Sequence, residues 1–335
     1  MGLLFLVAGF ALLPEKIEAK SEPKFVFEIS KRLEDSSLAL SVADGALWRL
    51  SKNSSMQKLD DNAEVLESYA LPFEKLSKSF CVENNVLYAV SNSKKIFAYD
   101  LNTSKVLWEF SAKKRILADF ALDKDLLIFA SYDFSVYALN KNTGKLDFEY
   151  KAQEAINEKV ALDEDKIYFG DCAGVLTCFD ISSHQAKTEE ISEHLPNSPL
   201  IIKESLLILD YENRIFCLDK NTLKEKWQVE SNVNKILKFG DKVFALSSDL
   251  FLLNCENGEL EKLISVDENL EIIEAFSEEK FVLISELGSI YIYDMQSGEI
   301  DFDYKLGLSL KGIKIYAGKV FIIDDKSGIY IIRES

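Results

Sequence analysis

The chain has 335 residues, 47% of them hydrophobic and 28% charged, with 14 glycines and 5 prolines. That length suits one large domain, and the balance excludes a disordered, collagenous or disulfide-framed chain. Lys and Arg number 39 against 56 Asp and Glu, a formal charge of −17, which argues against nucleic acid or an anionic bilayer as partner, because both are held by clustered cations.

The first element is an apolar run, LLFLVAGFALL from Leu3 to Leu13, followed by Pro14 and a charged stretch. As a helix it would measure about 16 Å, short of the roughly 30 Å hydrocarbon core, so it does not read as a membrane span. It has the length of a secretory h-region, with cleavage after Ala19, although no Lys or Arg precedes it. No cysteine follows closely, so no lipid anchor is predicted. The expected organisation is a signal peptide over residues 1–19 and one domain over 20–335, exported to a periplasm-like space.

Beyond residue 24 the dominant signal is repetition. Apolar runs closing on a polar residue recur as MQKLD (to Asp60), IFAYD (Asp100), VYALN (Asn140), LTCFD (Asp180), IFCLD (Asp219), LFLLN (Asn254), IYIYD (Asp294) and IYIIR (Arg333). Their spacings are 40, 40, 40, 39, 35, 40 and 39 residues. Each period reads as four short strands rich in Val, Ile, Leu, Phe and Tyr, separated by Asp, Asn, Gly, Ser and Lys turns. The third shows it plainly, with runs over 116–122, 126–132, 135–140 and 146–152. Four strands per forty residues is the pattern of a β-propeller blade, whose two faces must be covered by neighbours.

Seven complete units fall at about 38–71, 78–112, 116–152, 156–192, 198–231, 234–266 and 270–307, and an eighth starts at Gly312 but supplies only three strands. The segment Phe25–Ile29 reads like the missing fourth strand. The expected fold is therefore all-β, an eight-bladed propeller closed by the N-terminal strand, with seven blades as the alternative. Closure of this kind removes a free sheet edge.

Several repeats carry a longer phrase: AYDLNTSKVLWEF (98–110), ALNKNTGKLDFEY (138–150), CLDKNTLKEKWQV (217–229) and YDMQSGEIDFDY (293–304). The phrase resembles the repeat of the pyrroloquinoline-quinone-like, or WD40-like, β-propellers. That resemblance implies that an outer-strand aromatic, here Trp108, Phe148, Trp227, Phe302 and, in the split blade, Phe27, docks on the adjacent blade. Blades four and six place Thr188 and Lys262 there instead. Trp48, on a second strand, is read as packing. In the dehydrogenase branch the resemblance would bring a quinone and calcium, with a carboxylate base and vicinal cysteines; the chain has no vicinal cysteine pair. In length it looks more like the non-catalytic branch, such as the propeller lipoprotein of outer-membrane assembly or the periplasmic propeller accompanying some nitrate reductases.

The residues themselves offer little catalysis. His184 and His194 are the two histidines and read as exposed loop or edge residues without partners for base or metal work. The five cysteines, Cys81, Cys172, Cys178, Cys217 and Cys255, follow no zinc spacing. Cys178 and Cys217 share a repeat position and read as buried apolar residues, while a Cys172–Cys178 disulfide is sterically open. No catalytic residue, metal or cofactor is therefore assigned. What stands out is a set of carboxylates on the turns between first and second strands: Asp44, Glu83, Asp123, Asp125, Asp163, Glu164, Asp165, Glu204, Asp241, Glu278 and Glu279. The turns between third and fourth strands share that rim and carry Lys105, Lys141, Lys145, Lys220 and Lys224, with Glu259 and Glu299 in blades six and seven. An acidic inner rim suits a basic segment of a protein partner. The expectation is a non-enzymatic scaffold or accessory factor, a monomer within a larger envelope or respiratory-enzyme assembly. The alternatives are a small-ligand-binding propeller or a quinone-dependent oxidoreductase.

Overall fold

Every regular element among the described residues is a β-strand, as runs of five to eight β-branched and aromatic residues between Asn, Asp and Gly turns require. The computed structural model describes residues 25–32, 37–92, 94–116, 119–308, 310–324 and 328–335. The expected signal peptide lies outside the described residues.

The strands form eight four-stranded sheets. Seven are simple meanders: Ser37–Leu59 with Val65–Ala70 opens blade one, and Leu270–Asp294 with Glu299–Lys305 completes blade seven. The eighth is composite. Leu310–Tyr316, Lys319–Asp324 and Gly328–Glu334 come from the end of the chain, and Phe25–Arg32 adds the outer strand. Phe25 pairs with Glu334 and Phe27 with Ile332, with a bulge between Ile29 and Lys31. The ring thus has eight blades, latched where the two ends of the chain meet.

Burial follows from the stacking. Second strands such as Val86–Ser91 are covered on both sides along nearly their whole length, whereas the outer strand Lys105–Ser111 buries little beyond Trp108. A sheet sandwiched between two others needs apolar side chains on both faces, and its outer edge does not. The apolar side chains gather accordingly into eight clusters, one per junction between blades. One of them joins Tyr88, Val90 and Trp108 of blade two to Leu127, Phe129 and Tyr137 of blade three. Trp48 is buried in the first junction, its Nε1 donating to the Ala43 carbonyl at 3.1 Å.

First strands line the axis and lie beside one another around it. In blades three, four and five they shrink to three residues, Ala121–Asp123, Ala161–Asp163 and Leu200–Ile202, shorter than the run expected over 116–122. In blade five Pro199 stands immediately before the strand and offers no N–H to extend it.

Third and fourth strands pair through a recurrent bulge, and the last residue before it faces the aromatic position: Ala98 opposite Trp108, Ala138 opposite Phe148, Cys217 opposite Trp227 and Ile292 opposite Phe302. Lys58 opposite Glu67 and Phe251 opposite Lys262 put charged residues there in blades one and six. The extra residue twists the outer strand toward the next blade.

Candidate functional site

Docking of the outer-strand aromatics sets the geometry of the rim. The Trp108 Nε1 donates to the Lys141 carbonyl of blade three at 2.8 Å, and its ring lies so close to Gly144 that a Cβ there would come within 2.5 Å of it. Trp227 repeats this on blade six, with Nε1 to the Cys255 carbonyl at 3.2 Å and its ring over Gly258. Both glycines are left-handed, at φ 68° and 79°, so glycine is required for conformation as well as space. Phe148 is smaller, and the equivalent turn position of blade four is occupied by His184, 5.7 Å away between ring centres. Phe27 departs from the expected role: it stacks on Tyr304 of blade seven at 4.3 Å and lies 5.7 Å from Tyr330. It packs backward because of register: Glu28 pairs with Ile331, the place that Trp108 takes opposite Ala98, and Phe27, one residue off, lies on the face toward blade seven.

Where a dock is present, as on blades three, four and six, it packs on the turn between third and fourth strands. With or without one, the residue just after the polar Asp or Asn lies at the junction on the rim. Those residues are Leu101, Lys141, Ile181, Lys220, Cys255 and Met295 in blades two to seven. Five of them donate their backbone N–H to the adjoining turn between first and second strands, as Lys220 does to the Glu204 carbonyl at 3.2 Å. Cys255 makes no such bond.

The eleven predicted carboxylates do share one rim, but not one role. Glu83 is taken by Lys141 at 2.6 Å, and Asp163 and Glu204 by Lys220 at 2.9 and 3.1 Å. Asp165 meets Lys124 at 3.7 Å and Glu279 meets Lys242 at 3.5 Å. Four of these five pairs cross a junction, so much of the expected docking charge laces blades together. Among the described residues Asp123, Glu164, Asp241 and Glu278 are left without a partner, while Asp44 and Asp125 only accept weakly from Asn85 N and Asn142 Nδ2, at 3.3 and 3.5 Å. Lys105, Lys145 and Lys224 are exposed.

The lacing fails between blades five and six. There Ile202 occupies the place of Glu83 and Asp163, last in the first strand, and Cys255 the place of Lys141 and Lys220. An isoleucine and a cysteine form no ion pair, and the short cysteine leaves space. The result is a groove of about 750 Å³, bounded by Ile202–Ser205, Asp241, Lys242, Leu252–Glu256, Glu259 and Glu261. Five carboxylates (Glu204, Asp241, Glu256, Glu259, Glu261) face it against Lys203 and Lys242, and Lys242 also serves Glu279 and the Met295 sulfur. A second hollow of about 580 Å³ continues past Asp241 to Glu278 and Glu279. Sequence reasoning placed Glu204, Asp241, Glu278 and Glu279 on this rim and missed Glu256 and Glu261. The signal available was the small residue Cys255 at a position held elsewhere by Leu101, Lys141, Ile181, Lys220 and Met295.

Burial pushes the Cys255 thiol above its ordinary value, which makes it a poor nucleophile. All five cysteines are free thiols, so Cys172 and Cys178 are not bridged, and Cys178 and Cys217 are buried. His194, expected to be exposed, is half-buried. Its Nδ1 lies 3.0 Å from the Cys172 carbonyl and its ring meets Tyr211 edge-on. A quinone with calcium does not fit the axis. The cavity of about 490 Å³, lined from blades eight and one to four, offers Lys78, Lys159 and Lys314, a single cysteine, Cys81, and one carboxylate, Asp119, where calcium needs six or more oxygens.

Set beside known proteins, residues 34–157 match the family described as outer membrane protein assembly factor BamB. The computationally designed Ika8 protein superposes with a TM-score of 0.76 at 13% identity, covering 90% of this chain and 97% of that one. BamB from Moraxella catarrhalis gives 0.54 at 14% identity, covering 90% and 84%. The chain is an eight-bladed β-propeller whose repeats over residues 34–157 are similar to that family's. No curated protein matches its sequence. At these identities the structural likenesses establish the propeller fold, while the match over blades one to three ties the repeat to BamB-like sequences. No helix of the described residues is long and apolar enough to cross a membrane.

Proposed function

We propose that this propeller is an exported, non-enzymatic adaptor in envelope-protein assembly, and that its groove between blades five and six receives a basic segment of a protein partner. The observation that carries this is the groove at Cys255, at a junction where Ile202 and Cys255 form no ion pair and five carboxylates line the opening. A cationic side chain entering there would meet carboxylates of which Asp241, Glu256 and Glu261 have no cationic partner of their own. Complementary charge of this kind steers encounter and fixes register. The rigid ring, the assembly-factor match over residues 34–157 and the apolar leader run at Leu3 to Leu13 support the wider setting.

The test is a triple charge reversal, Asp241→Lys, Glu256→Lys and Glu259→Lys, alongside a photo-crosslinking residue placed at Glu256 in cells. The crosslinker should capture an envelope protein through a Lys- or Arg-rich segment, and the reversal should abolish that adduct while the propeller stays folded. An adduct that survives the reversal rejects the groove as the docking site. Recovery of the protein in the cytosol rejects the envelope setting.

A further inference from the structure

The opposite edge of the ring, formed by the turns between second and third strands, is built on one repeated bond. The carbonyl of a turn residue accepts the N–H of the first residue after the outer strand: Ser54 from Leu71, Lys94 from Ala112, Phe134 from Ala152, Gly174 from Ile191, Asn213 from Ser231, Ser248 from Val266 and Gly288 from Leu306, at 2.8–3.2 Å. Five of these turn residues are left-handed: Ser54, Phe134, Gly174, Asn213 and Gly288, with φ between 59° and 80°. Glycine, asparagine and serine tolerate that conformation, whereas a phenylalanine there is an outlier. At Gly174 and Gly288 an added Cβ would lie 1.7 and 2.2 Å from the backbone oxygens of Ser192 and Leu308, so blade three has opened the neighbouring loop to admit a ring.

The ring gains little packing in return. Phe134 is half-exposed and joins neither apolar cluster of its blade. What surrounds it is cationic: Lys151 Nζ stands 5.2 Å and Lys114 Nζ 5.8 Å from its centre. Beside it Tyr132 is 46% exposed, anchored by its N–H to the Arg115 carbonyl at 2.7 Å. Among the described residues Lys114, Arg115 and Lys151 form no salt bridge; Lys151 donates to the Asp133 carbonyl and stands near enough to the Asp133 carboxyl to act on it electrostatically. The nearby acids are already committed. Asp133 is buried and takes the Tyr137 hydroxyl at 2.7 Å, and Glu149 holds Lys113 at 2.7 Å and the Ser135 hydroxyl at 2.9 Å.

We propose that this corner, Phe134 and Tyr132 framed by Lys114, Arg115 and Lys151, is a second docking site, which takes a short acidic segment of a protein partner carrying an aromatic side chain. Strained, exposed residues kept against their conformational preference cluster at binding sites. An aromatic already faced by two ammonium groups offers a platform on which a carboxylate meets cations and an aromatic ring meets rings. Three cations on a chain of charge −17 are too few to hold an anionic lipid surface, since their attraction fades within a Debye length while the remaining charge repels it. The acidic groove lies on the other rim, so the two sites address oppositely charged segments without competing.

The test uses the full chain and a fluorescein-labelled peptide of alternating glutamate and tryptophan, read by anisotropy at low and physiological salt. A lysine–tryptophan peptide and vesicles containing phosphatidylglycerol serve as the comparison ligands. The acidic peptide should bind, and Lys114→Glu with Lys151→Glu should weaken it about tenfold, as two exposed charge reversals would. Phe134→Gly should weaken binding while raising the melting temperature, because glycine relieves the left-handed strain. That pairing separates a docking role from a structural one. A Phe134→Gly variant that melts lower and binds equally well makes the ring structural and overturns the proposal. So does equal binding by the double charge variant, or vesicle binding without peptide binding.

Discussion

Between blades four and five, Lys220 reaches across the rim to Asp163, and its ammonium and backbone N–H also hold Glu204 of its own blade. Between five and six the same two repeat positions hold Cys255 and Ile202, and the junction stands open. Both junctions keep their apolar cluster. The difference shows that packing along the second and third strands holds blades together, while the rim position decides only whether a junction is sealed or presents a groove. A repeat protein can therefore acquire a site through one small residue at a rim position, with little consequence for its stability.

The largest effect should come from breaking the packing term. Trp108→Ala removes a buried ring together with its bond to Lys141, at a cost of about 4 kcal/mol. Trp227→Ala should cost roughly half that, because Trp227 is already half-exposed beside the groove and some of its area is not removed from water. Urea midpoints of the two variants measure the ratio. Equal losses would mean that the groove does not loosen the junction.

The junction between blades six and seven sharpens the comparison from the other side. Lys262 replaces the docking aromatic and turns back to Asp249 of its own blade at 2.7 Å. A polar clamp on the opposite edge holds it instead. Glu268, in the connection between the two blades, accepts from Lys305 at 2.6 Å and from the Ser285 hydroxyl of blade seven. The Lys305 ammonium, then that hydroxyl, hold the Glu268 carboxyl down from 4.5 to about 2. Its folded value is the lower one, so the charged form stabilises the fold above pH 4.5, and this contribution disappears as pH falls through about 2. Wild type should accordingly lose stability over that acid range, and Lys305→Met should flatten this part of the profile. A profile of unchanged shape in the variant would remove Glu268 as the clamp.

These contrasts also mark how far the sequence could be read. The forty-residue period, eight blades and closure by an N-terminal strand, expected over Phe25–Ile29, were legible because strand alternation and turn chemistry repeat locally, and Trp108 and Trp227 were recognisable as docks from the phrase that carries them. The rim acids lie on the turns between first and second strands. Their division into laced and unpaired groups was not legible, since a cross-junction pair such as Lys141–Glu83 depends on side chains 58 positions apart on different sheets. The groove was hidden for a related reason: it arises from what Cys255 fails to fill. The Phe134 corner was hidden because a phenylalanine in a turn gives no sign of its φ.

The smallest effect is the most discriminating. Cys255→Leu restores the apolar filler that blade two has in Leu101, so it should close the groove without adding charge. Leucine at a half-buried site next to a cavity gains some apolar burial and meets little crowding, and stability should change by less than about 1 kcal/mol. If the groove is only a gap in the lacing, nothing else changes. If it is where the basic segment docks, the crosslink from Glu256 should vanish even though every carboxylate remains, which charge reversal cannot distinguish from a general loss of acidity. Thermal melting together with the crosslinking yield reads both quantities, and an unchanged yield would detach binding from the groove while leaving the acidic rim itself in play.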